Sequence, residues 1–224
     1  MRGVTPLAMI RGLDHVVQVY RDLDAELARA DSVWRGFNVI PGGVHADGVT
    51  HNALVVGSNR TYIELVGFRD PERGRDHRWW KLATALGEPA DFALLSDDLD
   101  ADVAALGDLV TRGPQVGGRI RPDGVRIEWR TALLAAPLPF LIQDITPREL
   151  RVPGGDAAQH PNGFVGVIGV LVTTPDVATA HARFARLRER GTVPVEIRGG
   201  PQPRLSWRLA SRDLSRGVDR PAEG

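Results

Sequence analysis

A histidine and a glutamate stand out because each lies within an apolar, β-branched run that is typical of a strand. His15 lies in the run 13–20, and Glu64 lies in the run 61–66. Alternate residues of a strand share a face, so His15 and Glu64 would each have apolar neighbours on the same side. A buried imidazole or carboxylate is costly unless it is paired or bound. The pattern therefore indicates two polar groups that need a partner inside the protein.

One interpretation of this pair is a divalent metal site. Imidazole nitrogen and carboxylate oxygen suit zinc, iron, manganese or nickel. His15 and Glu64 are therefore candidate metal ligands, and Glu64 is also the candidate catalytic proton acceptor. The alternative is structural: His15 hydrogen-bonds to Asp14 or Glu64, and Glu64 pairs with one of the many arginines. The residues themselves leave both interpretations open.

The elements that must position this pair form a repeated pattern. Residues 13–68 predict a strand, a helix that begins at Asp22 and ends at Gly36, and three more strands. Those three strands are predicted at 37–40, 53–56 and 61–66. Residues 90–146 predict the same order, with strands at 91–95, 116–121, 125–134 and 139–145 and a helix from 97 or 98 to 109. The fold class is therefore α+β, with tandem β-α-β-β-β modules that curl a mixed sheet around a pocket.

The rest of the chain is assigned around these two modules. We expect paired modules over 11–146 (11–68 and 90–146), joined by a linking helix at 76–86. Residues 163–210 predict a partial third module packed on them, with strands at 165–172, 193–197 and 205–209 and a helix before Gly191. Residues 211–224 are polar and charged, so we expect a frayed tail there.

Superposing the two modules suggests where further ligands lie. Aligning Asp22-Leu23-Asp24 with Asp98-Leu99-Asp100 puts His15 opposite Asp91, and Glu64 falls opposite Gln143. Two ligands are too few for a metal, so Asp91 and Gln143 are predicted to complete the set.

Four further polar residues are candidates for substrate binding, namely His45, His51, Asn52 and His160. Each lies near glycine or proline, so turn formation is the competing explanation.

Composition excludes several classes of protein. The chain has 28 basic and 28 acidic residues, so its charge gives no reason to expect nucleic acid or an anionic membrane as a partner. The absence of cysteine excludes disulfides, thiolate zinc sites, iron–sulfur clusters and cysteine nucleophiles. The first ten residues do not resemble a signal peptide, and the apolar stretch 133–142 is too short to span a bilayer. We therefore expect a cytoplasmic protein.

Several segments, taken in order, resemble the glyoxalase-like domain of the vicinal oxygen chelate superfamily over about residues 11–190. They are Gly12-Leu13-Asp14-His15-Val16-Val17, Gly36-Phe37, Pro41-Gly42-Gly43-Val44-His45, Thr50-His51-Asn52-Ala53-Leu54, Tyr62-Ile63-Glu64-Leu65, Leu138-Pro139-Phe140-Leu141-Ile142 and His160-Pro161-Asn162-Gly163. The resemblance implies one metal ligand on the first strand and one on the fourth strand of each module. These places fall to His15 and Glu64, then to Asp91 and Gln143. The second pair departs from the usual His or Gln with Glu, and His45, His51 or His160 are possible replacements.

The resemblance implies two different functions. The first is a metal-assisted lyase, isomerase or dioxygenase acting on a small substrate with vicinal oxygens, in which the metal acts as a Lewis acid. The second is a non-catalytic module that sequesters a small apolar molecule, and the unusual second pair of ligands favours it. A purely structural dimerisation module is a third possibility. A small-molecule substrate or ligand and a homodimer are the partners that we expect.

Overall fold

Two copies of a β-α-β-β-β unit dominate the computed structural model, which describes residues 9–212. The elements, in chain order, are β1 (Ile10–Tyr20), α1 (Leu23–Ala28), β2 (Ile40–His45), β3 (Thr50–Val56), β4 (Tyr62–Phe68), the single-turn α2 (Pro71–Gly74), β5 (Glu88–Ser96), α3 (Leu99–Leu106), β6 (Val110–Ile120), β7 (Arg126–Leu134), β8 (Phe140–Asp144), α4 (Arg148–Arg151), β9 (Phe164–Thr174), α5 (Val177–Arg188), β10 (Val195–Gly199) and β11 (Arg204–Ser211). We call β1–β4 with α1 the first unit and β5–β8 with α3 the second unit.

The eight strands of the two units close into one barrel in the order β1-β4-β3-β2-β6-β7-β8-β5. Within each unit the first and fourth strands are parallel and the others are antiparallel. The units meet along two antiparallel seams, β1 with β5 and β2 with β6. Matching seams give the barrel an approximate twofold arrangement. The prediction of an α+β fold with tandem modules and a curved mixed sheet is confirmed.

The alternation of side chains along each strand separates two apolar layers. Val16 on β1 and Leu65 on β4 belong to the large core that also includes residues of α1, α3 and the C-terminal sheet. Their neighbours in sequence, Val17 and Val66, belong to a second cluster with Phe140. Residues of this second cluster lie on the same side as His15, so the strand pattern directs one face of β1 and β4 into the barrel.

The C-terminal part of the described chain forms a second, smaller sheet in the order β10-β9-β11. Strands β9 and β10 are parallel and are joined by α5, whereas β11 is antiparallel to β9. Its elements correspond to those predicted after residue 163, and their assignment to a partial third module stays a prediction. Residues 213–224 of the predicted polar tail lie outside the described residues. Among residues 9–212, no helix combines the length and apolar character that crossing a membrane requires.

The linking helix predicted at 76–86 is wrong, because the chain there forms successive turns. Several backbone bonds reach only three residues back, as from Trp80 N–H to His77 O at 2.9 Å. Trp80 packs edge-on against Phe68 and lies under the Arg21 guanidinium. Trp79, its neighbour, turns toward Asp91 instead. Because the two adjacent tryptophans contact different partners, the backbone here forms turns and not a regular helix.

The first helix is also shorter than predicted, since α1 ends at Ala28 rather than at Gly36. The buried Glu26 carboxylate accepts a hydrogen bond from Ser32 Oγ at 3.0 Å, and this contact stabilises a loop after the helix. That loop moves β2 to 40–45, later than the predicted 37–40. His45 therefore lies at the end of a strand and not in a turn.

Candidate functional site

The barrel encloses a cavity of about 550 Å³. Strands from both units line it, together with the turns at 76–79. One wall carries the polar side chains His15, His45 and Glu64, and an apolar wall beside it carries Trp129 and Phe140, whose rings pack edge-on against His45 and His15. A concave site with a few convergent polar groups and an apolar wall is typical of small-molecule binding.

Glu64 is at the centre of the polar wall. It is only 8% exposed, and both of its carboxylate oxygens have neighbours. Oε2 lies 3.4 Å from His15 Nε2, and Oε1 lies 3.4 Å from His45 Nε2. Asn52 Nδ2 donates to Oε1 at 2.6 Å. The carboxylate is therefore held between two imidazoles, with an amide donor fixing its orientation.

Each imidazole is fixed on the side that faces away from Glu64. His15 Nδ1 donates to Asp14 Oδ1 at 2.6 Å, and the ring stacks on Tyr62 with centroids 4.5 Å apart. His45 Nδ1 hydrogen-bonds with Thr50 Oγ1 at 2.6 Å. Because the Nδ1 atoms are engaged, the Nε2 atoms are directed at the carboxylate.

The charges of this cluster favour an ion pair. Burial alone would raise the pKa of Glu64, but the contacts with His15 and His45 outweigh it and hold that pKa well below its usual range. Burial alone would lower the pKa of His15, yet its hydrogen bonds to Asp14 and Glu64 raise it. An ionised Glu64 beside a protonated His15 is the state that these directions favour.

A buried arginine cluster supports His15 from behind. Arg151 is almost fully buried and donates to Asp14 through both terminal nitrogens, at 2.9 and 3.0 Å. It also donates to Tyr62 OH at 2.7 Å and to Asp144 Oδ2 at 3.0 Å. Burial would raise the pKa of Asp14, but the charge of Arg151 and the His15 contact keep it well below its usual value. Asp14 is thereby kept as an acceptor that orients His15.

Arg119 is a second buried arginine at the cavity, and it differs from Arg151 in its partners. It lies on β6 directly across the seam from His45 on β2. Its Nη2 donates to Arg151 O at 2.8 Å, and its Nε has no partner among residues 9–212. Sequence analysis missed Arg119, because nothing in the sequence shows that β2 and β6 are neighbours across the barrel. It missed Arg151 as well, since the predicted link after 145 gave no reason to expect a buried residue.

Two of the predicted ligands do not reach the polar wall. The side chain of Gln143 is half-buried and donates to Asp97 O at 2.7 Å, outside the cavity. Asp91 pairs with Arg78 and accepts from Trp79 Nε1 at 3.3 Å, and burial raises its pKa. Neither residue completes a set of ligands with His15 and Glu64.

The register of the strand ladders explains this correction. On β5, Ala93 lies directly across the seam from His15, and on β8, Ile142 lines the cavity, whereas Gln143 is bonded outside it. Our superposition was displaced on the fourth strand, where it selected the neighbour of Ile142. A one-residue shift moves a side chain to the other face of the sheet, so Gln143 replaced Ile142. The second unit therefore presents apolar residues where the first presents His15 and Glu64.

The predicted substrate-binding residues fall into two groups. His45 reaches Glu64, and Asn52 supports it; a side chain at Gly42 would clash with Asn52 Oδ1, which explains the glycine there. His51 faces the other side of β3 and lines a separate cavity of about 500 Å³, and burial lowers its pKa. His160 accepts from Asn38 N–H at 3.0 Å and donates to Val56 O at 2.8 Å, so it joins loops outside the main cavity.

The predicted metal was tested against the donors that are present. His15, His45 and Glu64 have suitable donor atoms, and one imidazole Nε2 lies 3.4 Å from each carboxylate oxygen. Over residues 9–212, no three or more His, Cys, Asp or Glu side chains are grouped so that they hold a metal ion. The second unit offers Ala93 and Ile142 in place of ligands. The arrangement does not fit a divalent metal.

Comparison with known proteins agrees with the barrel. Residues 13–188 match the model of a glyoxalase-like domain. A hypothetical protein from Staphylococcus aureus has a similar solved structure, with a TM-score of 0.66, 16% identity, and coverage of 86% of this chain and 87% of that one. A fusion of a xylose isomerase-like TIM barrel with a 4-hydroxyphenylpyruvate dioxygenase aligns with a TM-score of 0.50 at 13% identity, covering 89% of this chain and 34% of that one.

A methylmalonyl-CoA epimerase from Mycobacterium tuberculosis also aligns, with a TM-score of 0.40, 21% identity, and coverage of 66% of this chain and 96% of that one. No functionally curated protein matched the chain. At these identities the solved structures are similar to this chain in fold alone.

Proposed function

The chain belongs to the family of glyoxalase-like domains, and we propose that it is a small-molecule enzyme in which Glu64 moves a proton. The observation that carries the proposal is the buried Glu64 carboxylate, held between His15 and His45 on the wall of a closed barrel cavity. Perturbed titratable groups that converge in a cleft are candidates for acid–base chemistry.

The proposed step is proton abstraction from carbon beside a carbonyl group. Glu64 accepts the C–H proton, and the bonding electrons move to the carbonyl oxygen as an enolate. Return of the proton to carbon gives an isomerase reaction, and loss of a neighbouring leaving group gives a lyase reaction. A substrate with vicinal oxygens fits, because a second oxygen beside the carbonyl acidifies the C–H bond and accepts hydrogen bonds from the same wall.

The two imidazoles have separate tasks in this step. Protonated His15 stabilises negative charge that develops near Glu64, and Asp14 keeps it oriented. His45 is 3.4 Å from Glu64 and lies at the seam between the units, so a ligand that enters there replaces its contact. Losing that contact raises the basicity of Glu64, which its neighbours keep low in the resting protein. The step as proposed uses these side chains alone.

Exchange of carbon-bound protons tests the proposal directly. We would follow the C3 protons of 2-oxo-4-phenylbutanoate by NMR in D2O, with and without protein. We expect catalysed exchange, and Glu64→Gln should slow it by about 10²–10⁴-fold, the usual range for a general base. Gln143→Ala is the matched control, since that side chain lies outside the cavity. An exchange rate that is the same with Glu64→Gln as with wild type contradicts the proposal.

A second candidate function is binding without catalysis. The observation that favours it is the apolar second unit, where Ala93 lies across the seam from His15 and Ile142 lines the cavity. In this case calorimetry detects binding of an apolar ligand, while no proton exchange occurs and Glu64→Gln leaves the affinity unchanged. The two candidates are therefore separated by one pair of measurements on the same protein.

A cytoplasmic location and a homodimer are further proposals that rest on the sequence. Light scattering after size-exclusion chromatography tests the homodimer. A mass of one chain, near 24.4 kDa, contradicts it.

A further inference from the structure

Arg119 places an uncompensated positive charge beside the cavity. The residue is 3% exposed, and among the described residues no carboxylate lies within ion-pair distance of its guanidinium. We infer that Arg119 binds the carboxylate of an anionic substrate and so sets the substrate class of this site. The inference deepens the proposed function and rests on it for the reaction, but not for the binding.

Two other arginines that line the cavity are paired, and a fourth, Arg112, is exposed to solvent, so Arg119 differs in being buried without a counter-charge in the described part of the chain. Arg151 is neutralised by Asp14 and Asp144, and Arg78 is neutralised by Asp91. Within residues 9–212, Arg119 has only the neutral carbonyl of Arg151 as a hydrogen-bond acceptor. A buried charge without a counter-charge is costly. Burial accordingly lowers the pKa of Arg119, although Tyr62 and Glu64 oppose the shift.

The position of Arg119 relative to Glu64 suits an anchor. Arg119 is the cross-strand neighbour of His45, and His45 contacts Glu64. A carboxylate at Arg119 therefore puts the adjoining carbonyl and C–H group of the ligand near Glu64. Arg119 comes from the second unit and Glu64 from the first, so the site needs both units.

The remaining lining residues define the rest of the ligand. Trp129, Leu133 and Phe140 offer an apolar surface on the second unit. Arginine binds carboxylates well because its planar guanidinium matches their geometry. The substrate class is therefore a monocarboxylate with a carbonyl beside the acid group and an apolar body, such as a 2-oxo acid.

Titration calorimetry with a matched pair of probes tests the anchor. The acid is 2-oxo-4-phenylbutanoate, and the neutral control is its amide, 2-oxo-4-phenylbutanamide. Wild type should bind the acid more tightly than the amide. Arg119→Met should lower the affinity for the acid by about 10- to 100-fold, which is the usual effect of losing a hydrogen bond to a charged group. The affinity for the amide should stay unchanged. Arg119→Lys should retain part of the preference, because it keeps the charge but not the planar group.

The outcomes separate an anchor from a structural role. If the only role of Arg119 is its structural hydrogen bond to Arg151 O, then Arg119→Met lowers the midpoint of thermal unfolding and reduces the affinities for acid and amide equally. That result overturns the inference. Equal affinity of wild type for the two probes, including no binding of either, also overturns it. Glu64→Gln should keep the preference for the acid while it loses proton exchange. Failure of the anchor and failure of the proton transfer are thus read from different experiments.

Discussion

The two units of the barrel share a topology but not a chemistry. Each has a parallel pair of first and fourth strands, and each begins its helix after an aspartate that caps it. Inside the barrel the first unit carries His15 and Glu64, whereas the second carries the apolar Ala93 and Ile142. The second unit instead contributes Arg119 and the apolar wall. The comparison shows that strand pairing and caps suffice for the barrel, so the chemistry of one unit need not be repeated in the other.

The largest effect on stability should come from the charge cluster behind His15. Arg151→Met leaves Asp14 and Asp144 without their main partner inside the protein. Removing one member of a buried ion pair costs about 3–5 kcal/mol, so we expect the free energy of unfolding in urea to fall by that amount. Arg130→Met, which loses an exposed pair with Asp100, is the control and should cost about 0–1 kcal/mol. Equal losses for the two variants would show that the cluster is not a specific support.

Exchanging the chemistry between units should give the next largest effect. Ile142→Glu puts a carboxylate on the cavity side of the second unit's fourth strand, where the neighbouring β5 offers Ala93 and no imidazole. An unpaired buried carboxylate should cost about 2–5 kcal/mol in urea unfolding. Ile142→Leu controls for the change of shape and should cost less than about 1.5 kcal/mol. A stable Ile142→Glu protein would mean that the second unit tolerates the same chemistry as the first.

Removing a helix cap should lower the free energy of unfolding by a smaller amount, and by the same amount in the two units. Asp22 Oδ1 accepts from Ala25 N–H at 2.9 Å, and Asp98 Oδ1 accepts from Ala101 N–H at 3.0 Å. Replacing either aspartate by alanine should cost about 1 kcal/mol. Urea unfolding of the two variants gives both values, and clearly different losses would break the structural equivalence of the units.

These results also show which parts of the protein can be predicted from its sequence. The element order was predictable because strands alternate, helices have caps, and the pattern occurs twice. His15 and Glu64 were found because a polar residue in an apolar strand is conspicuous. The site was predicted incompletely, since cross-strand register cannot be derived from short matches such as Asp22-Leu23-Asp24. A one-residue displacement therefore selected Gln143, which faces away from the cavity.

Arg119 illustrates the other limit of sequence analysis. It meets His45 only because the barrel closes through the β2–β6 seam, which joins residues that are distant in sequence. No local pattern reports a contact of this kind. The same holds for Arg151, because its contact with Asp14 on β1 joins two residues that are distant in sequence.

The smallest effect should be a pH dependence from His51. Burial lowers the pKa of His51 in the folded state, and Asp22, Asp24, Arg69 and His45 modify it. As pH falls below the unfolded value of about 6.5, the unfolded chain binds the proton first, so stability falls. His51→Gln should reduce the loss of unfolding free energy between pH 7 and pH 5. A loss that is the same in the variant and in wild type would contradict the assigned shift.

A crystal structure with bound 2-oxo-4-phenylbutanoate tests the central claim most directly, because it shows which unit contacts the reacting carbon. We predict that C3 of the ligand lies beside the Glu64 carboxylate, with the acid group at Arg119 and the phenyl group on the wall of Trp129 and Phe140. A ligand in the His51 cavity, or one that touches the second unit without reaching Glu64, would contradict the account. A metal ion bound jointly by His15, His45 and Glu64 would contradict it as well.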